Sequence, residues 1–410
     1  MAVGLFNYVD RLCMSILVVP IRQELGLSDT QIGILTGLAF SLVYTLMAVP
    51  IARRADRGSR KRVIAASLGA WSLMTAGCGL ASGFLVLAVL RMGVAIGEAG
   101  CIPAIQALLS DYYPRRERAR VLAIWQLVFP LGSLTGIAAS GWLSATLGWR
   151  ATFALLGGIG LLLVPIVLAT LREPPRGAAD GRAAPGPPRA IPLAAALRAL
   201  WSLPSYRGAV LGGALLAWPL NVALVWNGPF YSRVFHVPVA ELGLQLALLS
   251  GGAGAVGLFG GGSLAAWLSR RDLRWQLWVP GIAGLLVAPF MIAQYYAGDA
   301  RSSLLLGVVP VVLLNAFLPP QAAAAQSLAA PDLRALAAAT IVLISGSVGT
   351  ALGPFTAGVL SDLLARRFGL GDDALRHAIA STSVLALLGG VLFLRAARHF
   401  PQDLQRPAQL

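Results

Sequence analysis

Four charged residues interrupt the apolar segments of this sequence. Asp10 and Arg11 lie near its start, and Arg91 and Glu98 lie in a later apolar segment. A charge inside a membrane-spanning helix costs about 2.5–3.5 kcal/mol on insertion scales, so such residues usually have a function. A carboxyl group can bind and release protons, and a nearby guanidinium group lowers its pKa. The residue types therefore predict proton coupling by all four residues, with Asp10 and Glu98 as proton carriers whose proton affinity changes when Arg11 or Arg91 moves.

The spacing of these charges predicts how they are partnered. Arg91 and Glu98 are seven residues apart. On a helix they share one face and lie about 10.5 Å apart along the axis, too far to pair without a bend. Each therefore needs a partner from another helix, and Asp10 and Arg11 are the candidates, which predicts one cluster of four. The alternative interpretation is an ion-pair network that only fixes helix packing.

The composition is that of a membrane protein. Of the 410 residues, 57% are hydrophobic and 12% are charged, whereas a soluble domain carries about 25% charged residues. The apolar residues form blocks of about 20, long enough to cross a bilayer as helices. The sequence predicts an all-α polytopic membrane protein of twelve transmembrane helices. These spans are 1–21, 31–52, 63–83, 85–110, 119–142, 149–171, 207–232, 241–268, 275–297, 302–326, 335–364 and 374–397.

Basic residues predict the topology. The net charge is +15, but the basic residues lie between apolar blocks, so they set orientation and do not indicate nucleic-acid binding. With a cytoplasmic N-terminus, 23 lysines and arginines face the cytoplasm, seven face the other side and two lie within helices. This bias predicts that both termini are cytoplasmic.

An internal repeat predicts two pseudo-symmetric six-helix bundles. The domains are residues 1–171 and 207–410, joined by a Pro/Gly/Ala-rich cytoplasmic linker at 172–206; the end of that stretch also fits a short interfacial helix near 191–202. A shift of 217 residues superposes eight identical residues without a gap. The pairs are Pro103/Pro320, Ala107/Ala324, Ser110/Ser327, Pro114/Pro331, Gly132/Gly349, Gly136/Gly353, Gly141/Gly358 and Leu143/Leu360. Parallel repeats of this kind are typical of alternating-access transporters.

The same shift separates the roles of the two halves. Glu98 superposes on Asn315, which is polar but cannot titrate. Proton chemistry is therefore expected in the N-terminal half alone, and substrate contacts in the C-terminal half. The candidate substrate contacts are Trp218, Asn221, Trp226, Asn227, Tyr231 and Asn315. The alternative for the aromatic residues is interfacial anchoring or ordinary packing.

Catalytic and metal-binding patterns are not found in the sequence. His236, His377 and His399 are expected in loops or the tail, and the three cysteines, at positions 13, 78 and 101, are expected as small core residues. No catalytic triad, metal cluster or nucleotide-binding loop is recognisable. The sequence therefore predicts neither an enzyme nor a protein with a cofactor or metal.

A basic loop after the second span resembles the signature loop of the major facilitator superfamily. Its matching residues are Asp56, Arg57, Arg60 and Lys61, while Ala52 and Ser59 replace the two glycines of the pattern. The resemblance implies a cytoplasmic charge clasp, or gate, that favours the outward-facing state. The alternative is a simple positive-inside loop.

The N-terminal half is similar to the spinster-type lipid transporters of that superfamily. The similarity covers "NYVDR" at 7–11, the segment at 26–60 and the segment at 91–120. It implies that the four charged residues line a central cavity, and that a monomer in a bacterial inner membrane moves sphingosine-1-phosphate or a lysophospholipid with protons. In that case Arg11 or Arg91 would bind the phosphate. The alternative substrate is a small organic anion or a drug.

Overall fold

In the computed structural model, most of the described residues lie in helices. The structure describes residues 1–113, 117, 121, 124–125, 127–174, 193–330 and 333–405, with the side chains of residues 49, 56, 57, 110, 193, 335 and 342 left undescribed. The chain forms two compact units. The first contains the described part of Met1–Pro188 together with Pro238–Ala247, and the second contains the described part of Arg189–Val237 and Leu248–Leu410.

The first unit is built mainly from long apolar helices. The helices of its N-terminal part are α1 (Ala2–Leu25), α2 (Asp29–Gly33), α3 (Ala39–Arg57), α4 (Arg60–Cys78), α5 (Phe84–Ala99), α6 (Cys101–Tyr112) and α7 (Val128–Thr170). A π-helical segment, Ile34–Leu38, joins α2 to α3. Gly26 ends α1 in the left-handed conformation, with φ of 61°, which glycine adopts without steric cost.

The remaining helices begin with a short one after the linker. They are α8 (Leu193–Ser202), α9 (Pro204–Val234), α10 (Val239–Ala247), α11 (Gly254–Leu268), α12 (Trp275–Tyr295), α13 (Ala300–Ala316), α14 (Leu318–Leu328), α15 (Arg334–Ile341), α16 (Ser347–Phe368), α17 (Asp373–Ser381) and α18 (Ser383–Gln405). Two further segments, Leu248–Ala253 and Val342–Gly346, are π-helical. The short helix α8 confirms a helix within 191–202, of which residues 191 and 192 lie outside the described part of the chain.

The helices account for twelve transmembrane spans. Among the described residues, ten helices are long and apolar enough to cross a membrane. One of these, α7, contains two spans, because Gly148 breaks the helical geometry between them with φ of 81°. The helix α4 supplies another span of 19 residues, whose basic residues all lie in its first turn. The sequence-based span ends differ from the helix ends by several residues.

The structure shows where the three histidines and the three cysteines lie. His377 and His399 lie within α17 and α18 and not in a loop or the tail: His377 falls inside the predicted span 374–397, and α18 continues past the predicted end of that span to Gln405. His236 lies in the turn after α9, as expected. The three cysteines are free and buried, as expected of small core residues.

In each unit a helix is interrupted at the same position of the internal repeat. Gly100 separates α5 from α6, and Phe317 separates α13 from α14. These breaks are related by the 217-residue shift of the sequence repeat, and each follows the Glu98/Asn315 pair by two residues. The shift also moves the π-helical segment Ile34–Leu38 onto the region of Leu248–Ala253. The repeat in sequence is therefore also a repeat in local backbone structure.

Candidate functional site

An ion pair joins α1 to α5 within the first unit. Arg11 Nε donates to Glu98 Oε2 at 2.8 Å, and Arg11 Nη2 lies 2.7 Å from the same oxygen. The Glu98 side chain is fully buried, whereas 27% of the Arg11 side chain is exposed. Among the described residues, Glu98 Oε1 has no hydrogen-bond partner. Arg11 is therefore the member of the pair that a solute can contact first.

Asp10 and Arg91 are buried beside this pair but are less completely partnered. Asp10 Oδ2 accepts a hydrogen bond of 2.7 Å from the Thr75 hydroxyl, while its Oδ1 has no partner among the described residues. Arg91 is 2% exposed, and within the described part of the chain its Nε and Nη1 atoms are unpartnered. A buried charge without a partner is costly. Among the described residues, Arg11 and Glu98 thus form a direct ion pair, whereas Asp10 and Arg91 are not in a direct ion pair.

Both guanidinium groups contact the ring of Phe40. The Arg11 Cζ atom is 5.1 Å from the ring centroid, and the Arg91 Cζ atom is 5.0 Å from it. Tyr44 and Tyr8 also lie near Arg11, with centroids 4.8 Å and 5.9 Å from its Cζ. An aromatic face attracts a cation within about 6 Å. Aromatic residues therefore stabilise the positions of both guanidinium groups, and one ring contacts the two of them.

Glycines allow the helices that carry these residues to approach closely. A Cβ atom at Gly97 would lie 2.6 Å from the backbone nitrogen of Trp71, so α5 packs directly against the backbone of α4. A Cβ atom at Gly136 would lie 2.8 Å from the Cα of Val9, so α7 packs directly against α1. Small residues permit this backbone approach in membrane helices. The two contacts fix α5, which carries Glu98, against α4, and α1, which carries Asp10, against α7.

Most of the residues expected to contact substrate form hydrogen bonds within the second unit. Trp226 and Tyr231 are fully buried; Trp226 donates to the Pro354 carbonyl oxygen at 3.0 Å, and the Tyr231 hydroxyl accepts from Ser303 at 3.1 Å. Asn227 accepts from the Tyr295 hydroxyl at 2.8 Å. Asn315 donates to the Val311 carbonyl oxygen in its own helix, also at 2.8 Å.

Trp218 and Asn221 are the more accessible members of that set, since both are only half-buried. Trp218 donates to the Thr356 hydroxyl at 3.1 Å. Asn221 donates to the Ala217 carbonyl oxygen at 2.8 Å and accepts from Thr350 at 3.2 Å. The bonds to Thr350 and Thr356 are single side-chain contacts between α9 and α16, so a ligand could exchange with either hydroxyl without unfolding a helix.

The basic loop at 53–62 is tied to the rest of the first unit by Glu173. Ser59 donates its hydroxyl to Glu173, and the Arg60 amide donates to Glu173 Oε1 at 2.6 Å. The Arg60 guanidinium also pairs with Asp111 near the end of α6. Lys61 lies in the first turn of α4. The side chains of Asp56 and Arg57, expected in the same gate, lie outside the described residues.

The environment of Glu173 stabilises its ionised form. Partial burial raises the pKa of Glu173, but the hydrogen bonds from Ser59 and from the Arg60 and Lys61 amides outweigh it, and the pKa lies below its ordinary value near 4.5. A carboxylate whose folded-state pKa is lowered contributes stability above its unfolded pKa, and this contribution is lost as the pH falls through the folded pKa. The contacts of Glu173, which follows α7, with Ser59 and Arg60 at the start of α4 are thus expected to weaken in acid.

We expect Glu173→Gln to lower stability at neutral pH and to have no effect in acid. Because Glu173 is exposed, the difference in free energy of unfolding is at most about 1 kcal/mol. In detergent, thermal unfolding followed by tryptophan fluorescence should show a constant difference in Tm from pH 7 to about 5, which shrinks as the pH falls below about 4.5. Glu241→Gln, at another exposed glutamate, is the control. A Tm difference that persists at pH 3 contradicts the expectation.

Several residues of the site were not identified from sequence. Thr75 could have been found as a polar residue in an apolar helix, and Glu173 as an acidic residue following a span beside a basic loop. Phe40 gives no signal, because an aromatic residue in an apolar segment is most often packing. Only the arrangement of three helices shows that its ring contacts two arginines.

Comparisons with known proteins relate this chain to membrane transporters. A family model described as "Major Facilitator Superfamily" matches residues 1–354. The "MFS-type efflux pump" of Mycolicibacterium smegmatis is 32% identical, with 99% of this chain and 93% of the relative covered. "Protein spinster homolog 1" of Homo sapiens is 26% identical, with 100% of this chain and 81% of the relative covered. The crystal structure of a bacterial homolog to the human lysosomal transporter Spinster, inward-facing and unoccupied, has a TM-score of 0.88 and 28% identity, with 98% and 96% of the two chains covered.

Proposed function

Because this chain belongs to the Major Facilitator Superfamily, we propose that it is a proton-coupled transporter that moves a lipid-like amphiphile with an anionic headgroup by alternating access. The chain is a multi-pass membrane protein related to spinster proteins and to efflux pumps. Members of this superfamily are transporters and not enzymes. The lysophospholipid or sphingosine-1-phosphate class is what the spinster similarity implies.

The Arg11–Glu98 ion pair is the observation that carries the proposal. Arg11 is partly exposed and Glu98 is fully buried, so an anionic headgroup that binds Arg11 competes with Glu98 for the same guanidinium. A buried carboxylate that loses its cation is strongly disfavoured unless it takes up a proton. Anion binding and proton binding are then linked through one guanidinium group. Asp10 is a second carboxyl group in the same surroundings, and Arg91 is a second cation.

The remaining roles follow from this scheme. The proton chemistry belongs to the N-terminal half, because the repeat-related residue Asn315 cannot titrate. Trp218 and Asn221 are the first candidates for substrate contact in residues 207–410, followed by Trp226, Asn227, Tyr231 and Asn315. The basic loop with Asp56, Arg57, Arg60 and Lys61 acts as a cytoplasmic gate. The distribution of basic residues supports cytoplasmic termini. The Ala/Arg/Gly-rich composition supports a bacterial inner membrane, and the monomer, usual in this superfamily, is the working form.

The second candidate function is proton-coupled export of a drug or a small organic anion. The similarity to the mycobacterial efflux pump favours it. A drug exporter would use the same carboxyl groups for coupling, and the aromatic side chains near Arg11 would contact flat apolar substrates. The two functions differ in whether lysolipids compete for transport: a lipid carrier should be inhibited by them, and an exporter of drugs or organic anions should not.

Dye-reported proton flux in proteoliposomes tests the proposal. The protein is energised with a pH gradient and given lysophospholipids, sphingosine-1-phosphate, small organic anions or cationic drugs in turn. We expect lysolipids to drive proton movement and to inhibit flux driven by any other substrate. Flux driven by drugs or organic anions and insensitive to lysolipids would instead establish the second function. Substrate transport without any proton flux would contradict both.

A further inference from the structure

The short helix α8 presents apolar and basic residues on the surface of the second unit. Ala196 and Leu200 are buried against the unit, while Leu197 is 37% exposed and Trp201 is 36% exposed. Arg198 lies between them and is also exposed. Exposed leucine and tryptophan beside arginine on a short helix are typical of a segment that lies in the membrane interface.

A groove of about 490 Å³ lies between α8, the start of α9 and the end of α15. This volume is within the roughly 300–1,000 Å³ range of pockets that hold small ligands. Its wall is formed mainly by Leu197, Trp201, Tyr206, Thr340 and Ile344, with Arg198 as the charged member. All of these residues belong to the second unit.

Two hydroxyl groups in this wall already have partners. The Tyr206 hydroxyl donates to the Ala337 carbonyl oxygen at 3.1 Å, and the Thr340 hydroxyl donates to the Leu336 carbonyl oxygen at 2.8 Å. Apart from Arg198, the groove therefore offers mainly hydrocarbon and ring surface. Such a surface suits an acyl chain better than a polar solute.

Basic residues surround the same end of the unit. Arg207 follows Tyr206 in the first turn of α9, and Arg334 begins α15, whose residue Ala337 accepts the Tyr206 hydrogen bond. Both arginines are exposed. The described residues that line the groove include no acid, and Asp403 is held at the start of α9 by the Ser205 amide, at 2.9 Å. Arginines at a membrane interface attract anionic lipid headgroups.

We propose that this groove binds an anionic phospholipid of the cytoplasmic leaflet. One acyl chain lies against Trp201, Tyr206 and Ile344, and the phosphate group is bound by Arg198 with help from Arg207. The lipid fills the space between α8 and α15 and holds α8 against the second unit. This site is distinct from the charged residues of the first unit and takes a lipid that is bound and not transported.

Native mass spectrometry of the full chain in mild detergent tests this site. Dioleoyl phosphatidylglycerol and dioleoyl phosphatidylcholine are added separately, and the dissociation constant of the tightest bound lipid is measured. Loss of one basic residue at an anionic surface weakens binding roughly fivefold. We therefore expect Arg198→Gln to weaken phosphatidylglycerol binding by that factor and to weaken phosphatidylcholine binding less, because the choline group already neutralises the charge of its phosphate. Ile344→Trp, which fills the groove, should weaken binding of both lipids.

Arg301→Gln provides the matched control, because Arg301 is an exposed arginine at the start of α13 and not in the groove. It should bind both lipids like the wild type. The proposal is overturned if Arg198→Gln retains wild-type phosphatidylglycerol binding. It is also overturned if the wild type binds the two lipids equally well. Arg198 is exposed, so its substitution leaves the fold intact and the result interpretable.

Discussion

Replacement of Glu98 by glutamine is expected to abolish substrate-driven proton movement. Glutamine keeps the shape of the side chain and still offers an oxygen to the Arg11 guanidinium, but it cannot take up or release a proton. The variant should therefore still bind substrate and exchange labelled substrate between the two sides of a proteoliposome. Accumulation of substrate driven by a pH gradient should be lost. The measurement compares dye-reported proton flux with uptake of labelled substrate in the same vesicles.

Glu24→Gln is the matched control for this experiment. Glu24 is also an ion-paired glutamate of the first unit: its Oε1 lies 2.9 Å from Arg150 Nη2, and its side chain is 49% exposed. Solvent can replace an exposed partner, so this change should leave proton flux intact. If Glu98→Gln retains full proton flux while Asp10→Asn abolishes it, Asp10 is the proton site. If both variants retain it, the four charges serve packing alone.

The four charged residues could be identified from sequence because of their cost. A charge in an apolar segment is unfavourable, so its presence indicates a compensating role. The pairing within the cluster could not be identified in the same way. Helical periodicity shows that Arg91 and Glu98 share a face, but it does not show which neighbouring helix faces each residue. The structure pairs Glu98 with Arg11 and leaves Arg91 against the ring of Phe40.

The overall fold was more predictable than the local interruptions of its helices. The length of the apolar blocks and the internal repeat predict the twelve spans and the two halves. The break at Gly100 was not predicted, because a single glycine in an apolar helix is usually tolerated. The break at Gly148 lies between two of the predicted spans, 119–142 and 149–171. The π-helical segments have no recognisable sequence pattern, since they depend on how neighbouring helices pack.

Loss of the Arg11 charge is expected to destabilise the protein more than loss of both charges of the pair. Arg11→Gln leaves Glu98 buried without its cation, and removal of one member of a buried pair costs about 3–5 kcal/mol. Arg11→Gln combined with Glu98→Gln removes both charges and leaves two amides that can hydrogen-bond to each other. The double variant should recover most of the lost stability, but not proton-coupled transport. Thermal unfolding and the yield of monodisperse protein measure the first effect, and proton flux measures the second.

The location of the partner explains why this effect should be specific to Arg11. Arg376 pairs with Asp373 at 3.5 Å in the second unit, but the Asp373 side chain is 55% exposed. Water can solvate that aspartate when its partner is removed, so Arg376→Gln should cost at most about 1 kcal/mol. A wild-type Tm for Arg11→Gln would show that burial of Glu98 does not require the Arg11 charge. A double variant less stable than Arg11→Gln alone would show that the two side chains contribute to stability independently. The proposed linkage between anion binding and proton binding would then lose its structural basis.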